Sequence, residues 1–277
     1  SSSEFSGETG DNASAITITP VRMEAEVAFG GNSLYNKIKG QLMRAGHEFD
    51  NIDGTLVKQI LMEMIAQGVK SDYNKQLWLS DATGSDVTFN VYDGLFDAAF
   101  AVSANKLNRG TLATEQPTNA ALVAGRGLDI LKGLYEAASP ELLEAGNHVY
   151  FVSGDVADDY MATNLEGTGY AAGGYGFLKD GGALTYRGIP IIVRRDWDVA
   201  IAANHGAING ADNALETHRA MLTTKDAFVV ATDFDSNSVE QWYDHNFKQF
   251  RFRVAYSVGC ALKDAKLACY YTPDNMA

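Results

Sequence analysis

Between residues 57 and 77 an apolar side chain returns every four positions, as Val57, Leu61, Ile65, Val69, Tyr73 and Leu77. Leu56, Ile60 and Met64 run beside them and widen the stripe. That spacing gathers apolar groups on one side of an α-helix. It predicts a helix over Asp53–Leu79, with Asp53 or Thr55 as its N-cap. At about 1.5 Å per residue such a helix is roughly 40 Å long, well above the globular mean. A rod of that length spans a domain, so the remaining elements are expected to pack along it as along a spine.

The second strong pattern has a period of two. Phe250, Phe252, Val254, Tyr256, Val258 and Cys260 alternate with Arg251, Arg253, Ala255, Ser257 and Gly259. This predicts one long, half-buried strand, with Leu267–Tyr271 returning as its neighbour. Elsewhere Ile16–Phe29 reads as extended with a break at Pro20, and Leu34–Ala45 as a helix. Thr83–Gly94 is turn-rich around a short strand, Val87–Val91. Thr118–Ala138 reads as a helix with Leu122, Leu128, Leu131, Leu134 and Tyr135 inward, ended by Pro140. Val149–Val152 is a buried strand, after which Ser153 caps a helix with Val156, Tyr160, Met161 and Leu165 inward. Gly167–Gly182 carries seven glycines and reads as a long mobile loop. Leu184–Tyr186, Gly188 and Ile189–Val193 read as strand, turn and strand, and Ala227–Ala231 as another strand. The fold class is therefore α+β, with helices and strands interleaved irregularly rather than in βα pairs.

Composition narrows the functions. The formal net charge of −13 argues against a protein that coats nucleic acid by neutralising phosphates. It suits a wall that encloses DNA without gripping it, and equally a merely soluble surface. No run approaches the roughly 18 apolar residues a membrane helix needs, so no membrane partner is expected. The polar opening Ser-Ser-Ser-Glu-Phe-Ser-Gly lacks the apolar core of a signal peptide. It also lacks Met, which fits a proteolysed or a trimmed N-terminus. Cys260 and Cys269 are too few for a disulfide scaffold and wrongly spaced for a CxxC site. They either face each other across a hairpin or stand as two reduced strand residues.

Motifs of chemistry are scarce. His47, His148, His205, His218 and His245 share no ligand spacing. Gly125-Arg-Gly127 and Gly174-Tyr-Gly176 lack the third glycine of a dinucleotide fingerprint. Ser103-Ala-Asn-Lys106 matches a serine–lysine acylase pattern without its companion element. Asp155, Asp158 and Asp159 stand where carboxylates complement a helix dipole, a better reading than a metal site. No catalytic residue, cofactor or metal is expected.

The order of elements resembles the major capsid proteins of tailed double-stranded DNA phages, with the Hong Kong 97-type fold. The polar segment Ser1–Ala15 followed by Ile16–Phe29 looks like the returning limb of the extended loop, and Asp53–Leu79 like the spine helix. The helix 118–138 is similar to the first axial-domain helix. Leu184-Thr-Tyr-Arg-Gly-Ile-Pro-Ile-Ile-Val193 carries the family's turn glycine and hydrophobic-Pro-hydrophobic strand entry. The strand from Phe250 to Tyr270-Tyr-Thr-Pro273 resembles the closing peripheral strands. One departure is that only about fifty residues precede the spine helix, where the family has a longer arm and loop.

The resemblance implies an arm over residues 1–33 and a peripheral domain with the spine over 34–110. It implies an inserted axial domain over 111–225 and closing peripheral strands over 226–277. It also implies a non-enzymatic subunit that assembles with itself into pentamers and hexamers around DNA. Scaffold, maturation protease, portal and decoration proteins are further partners, and the location is the virion, after assembly in the host cytoplasm. Tyr170 and Tyr175, in the glycine-rich loop, are then expected at the ring axis. Two alternatives remain at this point: an encapsulin-like compartment shell and an α+β enzyme.

Overall fold

The computed structural model describes residues 17–30, 56–83, 89–100, 122–166, 178–179, 183–204, 218–232 and 238–272. The helix expected over 34–45, the caps Asp53 and Thr55, and Ser103–Lys106 lie outside them. So do His47, His205 and most of the glycine-rich stretch.

Strand β1 (Val21–Gly30) opens the described chain just past Pro20, and the spine helix α1 covers Leu56–Leu79. A short helix α2 (Leu95–Phe100) follows, then α3 (Arg126–Ala137) and α4 (Pro140–Glu144). Strand β2 (Val149–Ser153) feeds α5 (Gly154–Glu166). Then come β3 (Leu178–Lys179), β4 (Ala183–Tyr186), β5 (Ile189–Arg194) and α6 (Arg195–Asn204). The chain closes with β6 (Ala220–Thr223), β7 (Phe228–Ala231), β8 (Ser238–Asp244), β9 (Gln249–Leu262) and β10 (Ala268–Tyr271).

The alternating stretch is β9, the centre of a four-stranded antiparallel sheet. β1 pairs along one side of it from Val21↔Val258 to Gly30↔Gln249. On the other side lie β8 and then β7. Leu61 and Ile65 of α1 pack on Phe250 and Phe252, with Val27, Phe29 and Tyr243 around them. The outer face is a lattice of charge: Arg251 meets Glu26 and Asp244, and Arg253 meets Glu24. The half-buried reading holds for this half of β9. Farther along, Ala255, Ser257, Val258 and Gly259 are all buried, and residues 18–20 lie over Gly259. A Cβ on Gly259 would sit 3.0 Å from Ile18 Cγ2 and 3.2 Å from the Thr19 carbonyl oxygen.

The second sheet has the order β10-β6-β2-β5-β4-β3. Its β2–β5 pair is parallel, with α5 in the intervening chain. Tyr150, Val152 and Leu222 face α3 and α5 through Ile130, Leu131, Leu134, Val156 and Tyr160. Phe151, Met221 and Tyr270 face the other way, onto Trp78, Phe96 and Trp197. The spine therefore lies on the first sheet at one end and under the second at the other.

Several expectations are corrected. The stretch expected to return beside β9 instead pairs β10 with β6, in the other sheet. Cys260 and Cys269 are free and on different sheets. The stripe on α1 is narrower than expected: Leu61 is 6% exposed but Met64 is 58%. At about 100° per residue, Ile65 and Val69 drift to one side of Leu61 while Met64 falls on the other, away from the sheet. The helix expected from Thr118 begins, among the described residues, at Arg126. Gly125 before it holds φ 84°, a left-handed turn that glycine tolerates. Pro140 does more than end a helix, since it starts α4 behind the N-cap Ser139. Of the strand expected over Val87–Val91, residues 89–91 are described and form a turn and a bend instead. Phe228 opens the strand expected from Ala227, and Leu178–Lys179 forms a strand inside the stretch read as loop. The β4–β5 turn matches its expectation. Arg187 and Gly188 both have positive φ, as a two-residue hairpin requires.

Candidate assembly site

Tyr170 and Tyr175 lie outside the described residues. What is described is the mount from which their stretch departs. α5 leaves the carboxyl end of β2 and ends at Glu166, one residue before Gly167. The chain resumes in β3, the outermost strand of the six-stranded sheet.

Three aspartates fix that mount, each with a different partner. Asp159 accepts hydrogen bonds from the amides of Gly125 at 3.0 Å and Gly127 at 2.6 Å. It thereby caps α3, whose own N-cap residue has no side chain. Asp158 holds Arg195 with both oxygens, at 2.7 and 2.9 Å. Asp155 accepts from the Ser153 hydroxyl and the Val156 amide, and its other oxygen meets His218 Nδ1. Burial pushes Asp155 up, but the hydrogen bonds from His218 and Ser153 outweigh it and hold the carboxyl below its usual range. Ser153 thus donates to Asp155 rather than capping α5 with its own oxygen. Three carboxylates turned to three partners do not converge on an ion. Only Asp155 stands in the first turn of α5, so the dipole reading accounts for one of the three.

His218 was one of five histidines without a pattern. It is 4% exposed by side chain, and its partner lies 63 residues away. Beside this pair, Asp198 of α6 accepts the Gly154 amide at 2.8 Å. Burial first, and then the charge of Asp155, push Asp198 up to about 6.

A second acidic group escaped the sequence reading. Oxygens of Asp81, Asp93 and Asp97 lie within 4.8 Å of one another. Burial and the two neighbouring carboxylates push Asp97 up to about 7. Three such oxygens could serve a hard cation, although Asp81 already accepts from Thr83 and Asp93 from the Ala82 amide. Asp81 and Asp93 come from the segment between α1 and α2 and Asp97 from the first turn of α2, and no spacing in the sequence marks them. Both thiols are poor nucleophiles: burial pushes Cys260 and Cys269 up to about 12.

Elsewhere the surface offers shape. An apolar groove of about 490 Å³ opens between α1 and β9, lined by Ile65, Val69, Tyr73, Val254 and Tyr256. Phe247, in the β8–β9 turn, is exposed under the Arg251 guanidinium. Among the described residues no helix is long and apolar enough to cross a membrane.

No protein-family model matches the sequence, and none of the curated proteins does. Solved structures do match. A chain of the satellite phage P4 procapsid, which includes the size determination protein Sid, aligns over 98% of this chain and 77% of its own. Its TM-score is 0.59 at 9% identity. A chain of the capsid of an empty GTA particle aligns over 98% and 80%, with TM-score 0.55 at 14% identity. The SrpI encapsulin of Synechococcus elongatus PCC 7942 aligns over 92% and 74%, with TM-score 0.51 at 9% identity. The chain therefore carries the fold of phage capsid shell proteins, the group its order of elements resembles.

Proposed function

We propose that this chain is the repeating structural subunit of an icosahedral tailed-phage capsid. It closes into pentamers and hexamers around double-stranded DNA and catalyses no reaction. The observation that carries this reading is the match along 98% of the chain to a procapsid chain. The acidic balance supports it, since a −13 chain can enclose DNA without binding it tightly. In this reading residues 1–33 are an arm, 34–110 and 226–277 the peripheral domain, and 111–225 the axial domain. Tyr170 and Tyr175 stand at the ring axis, where glycine-rich backbone lets one loop serve two ring sizes. Scaffold, maturation protease, portal and decoration proteins complete the set of partners. Assembly takes place in the host cytoplasm and the product is the virion.

Repeated interfaces that close are what such a subunit needs. Electron microscopy and sedimentation of the purified chain with its scaffold should show closed particles holding nuclease-protected DNA once packaged. A chain that stays monomeric at high concentration with scaffold supplied would overturn the reading. The encapsulin match favours a second reading, a compartment shell. Particles filled with protein cargo instead of DNA would decide for it.

A further inference from the structure

The junction of α5, α6 and the residues leading into β6 is crowded with charge that is not balanced. Asp198 Oδ2 accepts the Gly154 amide, while Oδ1 is buried with no donor against it. An oxygen so placed is costly when charged and cheap when protonated. The charges that act on it are Asp155 on α5, His218 two residues before β6 and Arg195 on α6. Arg195 is already gripped by both oxygens of Asp158. The packing leaves no room to ease the repulsion. A Cβ on Gly154 would overlap Asp198 Oδ2 and come within 3.0 Å of Arg195 Cγ.

We propose that Asp155, Asp198 and His218 form a proton-operated clamp, which fastens α5 to α6 in acid and loosens as the solution approaches neutrality. The proton goes to Asp198 Oδ1, the oxygen without a donor, and Oδ2 keeps the Gly154 amide. Asp155 stays ionised, held by His218 and Ser153. Burial and Asp155 push Asp198 from 3.8 up to about 6. A carboxyl whose folded value is raised binds its proton more tightly when folded. Its contribution is whole below about pH 4 and is lost as the pH rises through about 6. The clamp belongs to the single chain and stands whether or not the chain builds shells.

Amide hydrogen exchange on the intact, unassembled chain tests it, with each rate corrected for its intrinsic pH dependence. Protection at Val156–Tyr160 should fall about tenfold between pH 4.5 and 7.5, after discounting for solvent access to Asp198. Asp198→Asn should hold the acid-state protection throughout, because the carboxamide oxygen still accepts the Gly154 amide. Flat protection in the parent, or an Asp198→Asn profile that falls like the parent's, overturns the clamp. Should the variant not fold, carbon-13 NMR of the parent's aspartate carboxyls decides. Asp198 titrating near 6 supports the clamp, and titration near 4 overturns it.

Discussion

The amide of Gly127 lies 2.6 Å from Asp159 Oδ2, so α3 and α5 meet backbone to backbone at a glycine. A Cβ there would stand 2.5 Å from the Val156 carbonyl oxygen and 2.9 Å from the Tyr160 nitrogen. Neither is a side-chain end that can swing away. Gly127→Ala should therefore cost about 1–3 kcal/mol through overpacking. Asp159→Ala should cost about 1 kcal/mol, as a lost helix cap does. Urea unfolding of both variants checks the pair, and an unchanged Gly127→Ala would show that the two helices have room to part.

Leu61 and Met64 stand three residues apart on α1, with opposite environments. Leu61→Asp buries a charge against Phe250 and Phe252. A loss of several kcal/mol is comparable with a domain's whole stability, so insoluble protein is expected. Met64→Asp should stay soluble and fold with a change within about 0.5 kcal/mol. Soluble Leu61→Asp would mean that the helix buries another face.

Asp97 gives a pH-dependent stability. Burial and the charges of Asp81 and Asp93 raise it from 3.8 to about 7. A raised carboxyl leaves a penalty that is absent below about pH 4 and full above about pH 7. Asp97→Asn removes that penalty. It should be more stable than the parent by about 1–2 kcal/mol at pH 8.5, with solvent screening discounted. The gain should vanish toward pH 4. Thermal unfolding across that range is the check, and a difference independent of pH would refute the account.

Tyr170→Ser with Tyr175→Ser tests the ring-axis proposal. Tyrosine can bury a large apolar face while keeping its hydroxyl wet. The double variant should keep the parent's circular dichroism but assemble only at higher concentration. Assembly at the parent's threshold would remove these tyrosines from the ring.

What was legible in the sequence is what local periodicity encodes. α1 and β9 announce themselves through spacings of four and two, and both form where expected. β10 does not, because four apolar residues fit either sheet and the choice of β6 rests on side chains some 45 positions away. α6 follows β5 without a break, which hides Arg195–Asn204 behind the strand before it. Its signals were there in Asp196 and Asp198 in the first turn, and in Trp197 and Ile201 one turn apart. The Asp155–His218 pair was unreadable in principle. Each residue has an innocent local explanation, and only the fold brings them together.

Trp78 gives the long helix a mechanical role. Its ring packs among Phe96, Phe151 and Trp197, with centroids 4.8–5.8 Å away, and pins that end to the six-stranded sheet. The other end rides on Phe250 and Phe252 of the four-stranded sheet. The 24-residue helix is thus a lever about 36 Å long, with its pivot at the tryptophan. A tilt of about 5° at the pivot displaces the far end by roughly 3 Å, about the width of an atom. One rod therefore ties the two sheets together, and a shift of either sheet has to be taken up by the packing at the other end.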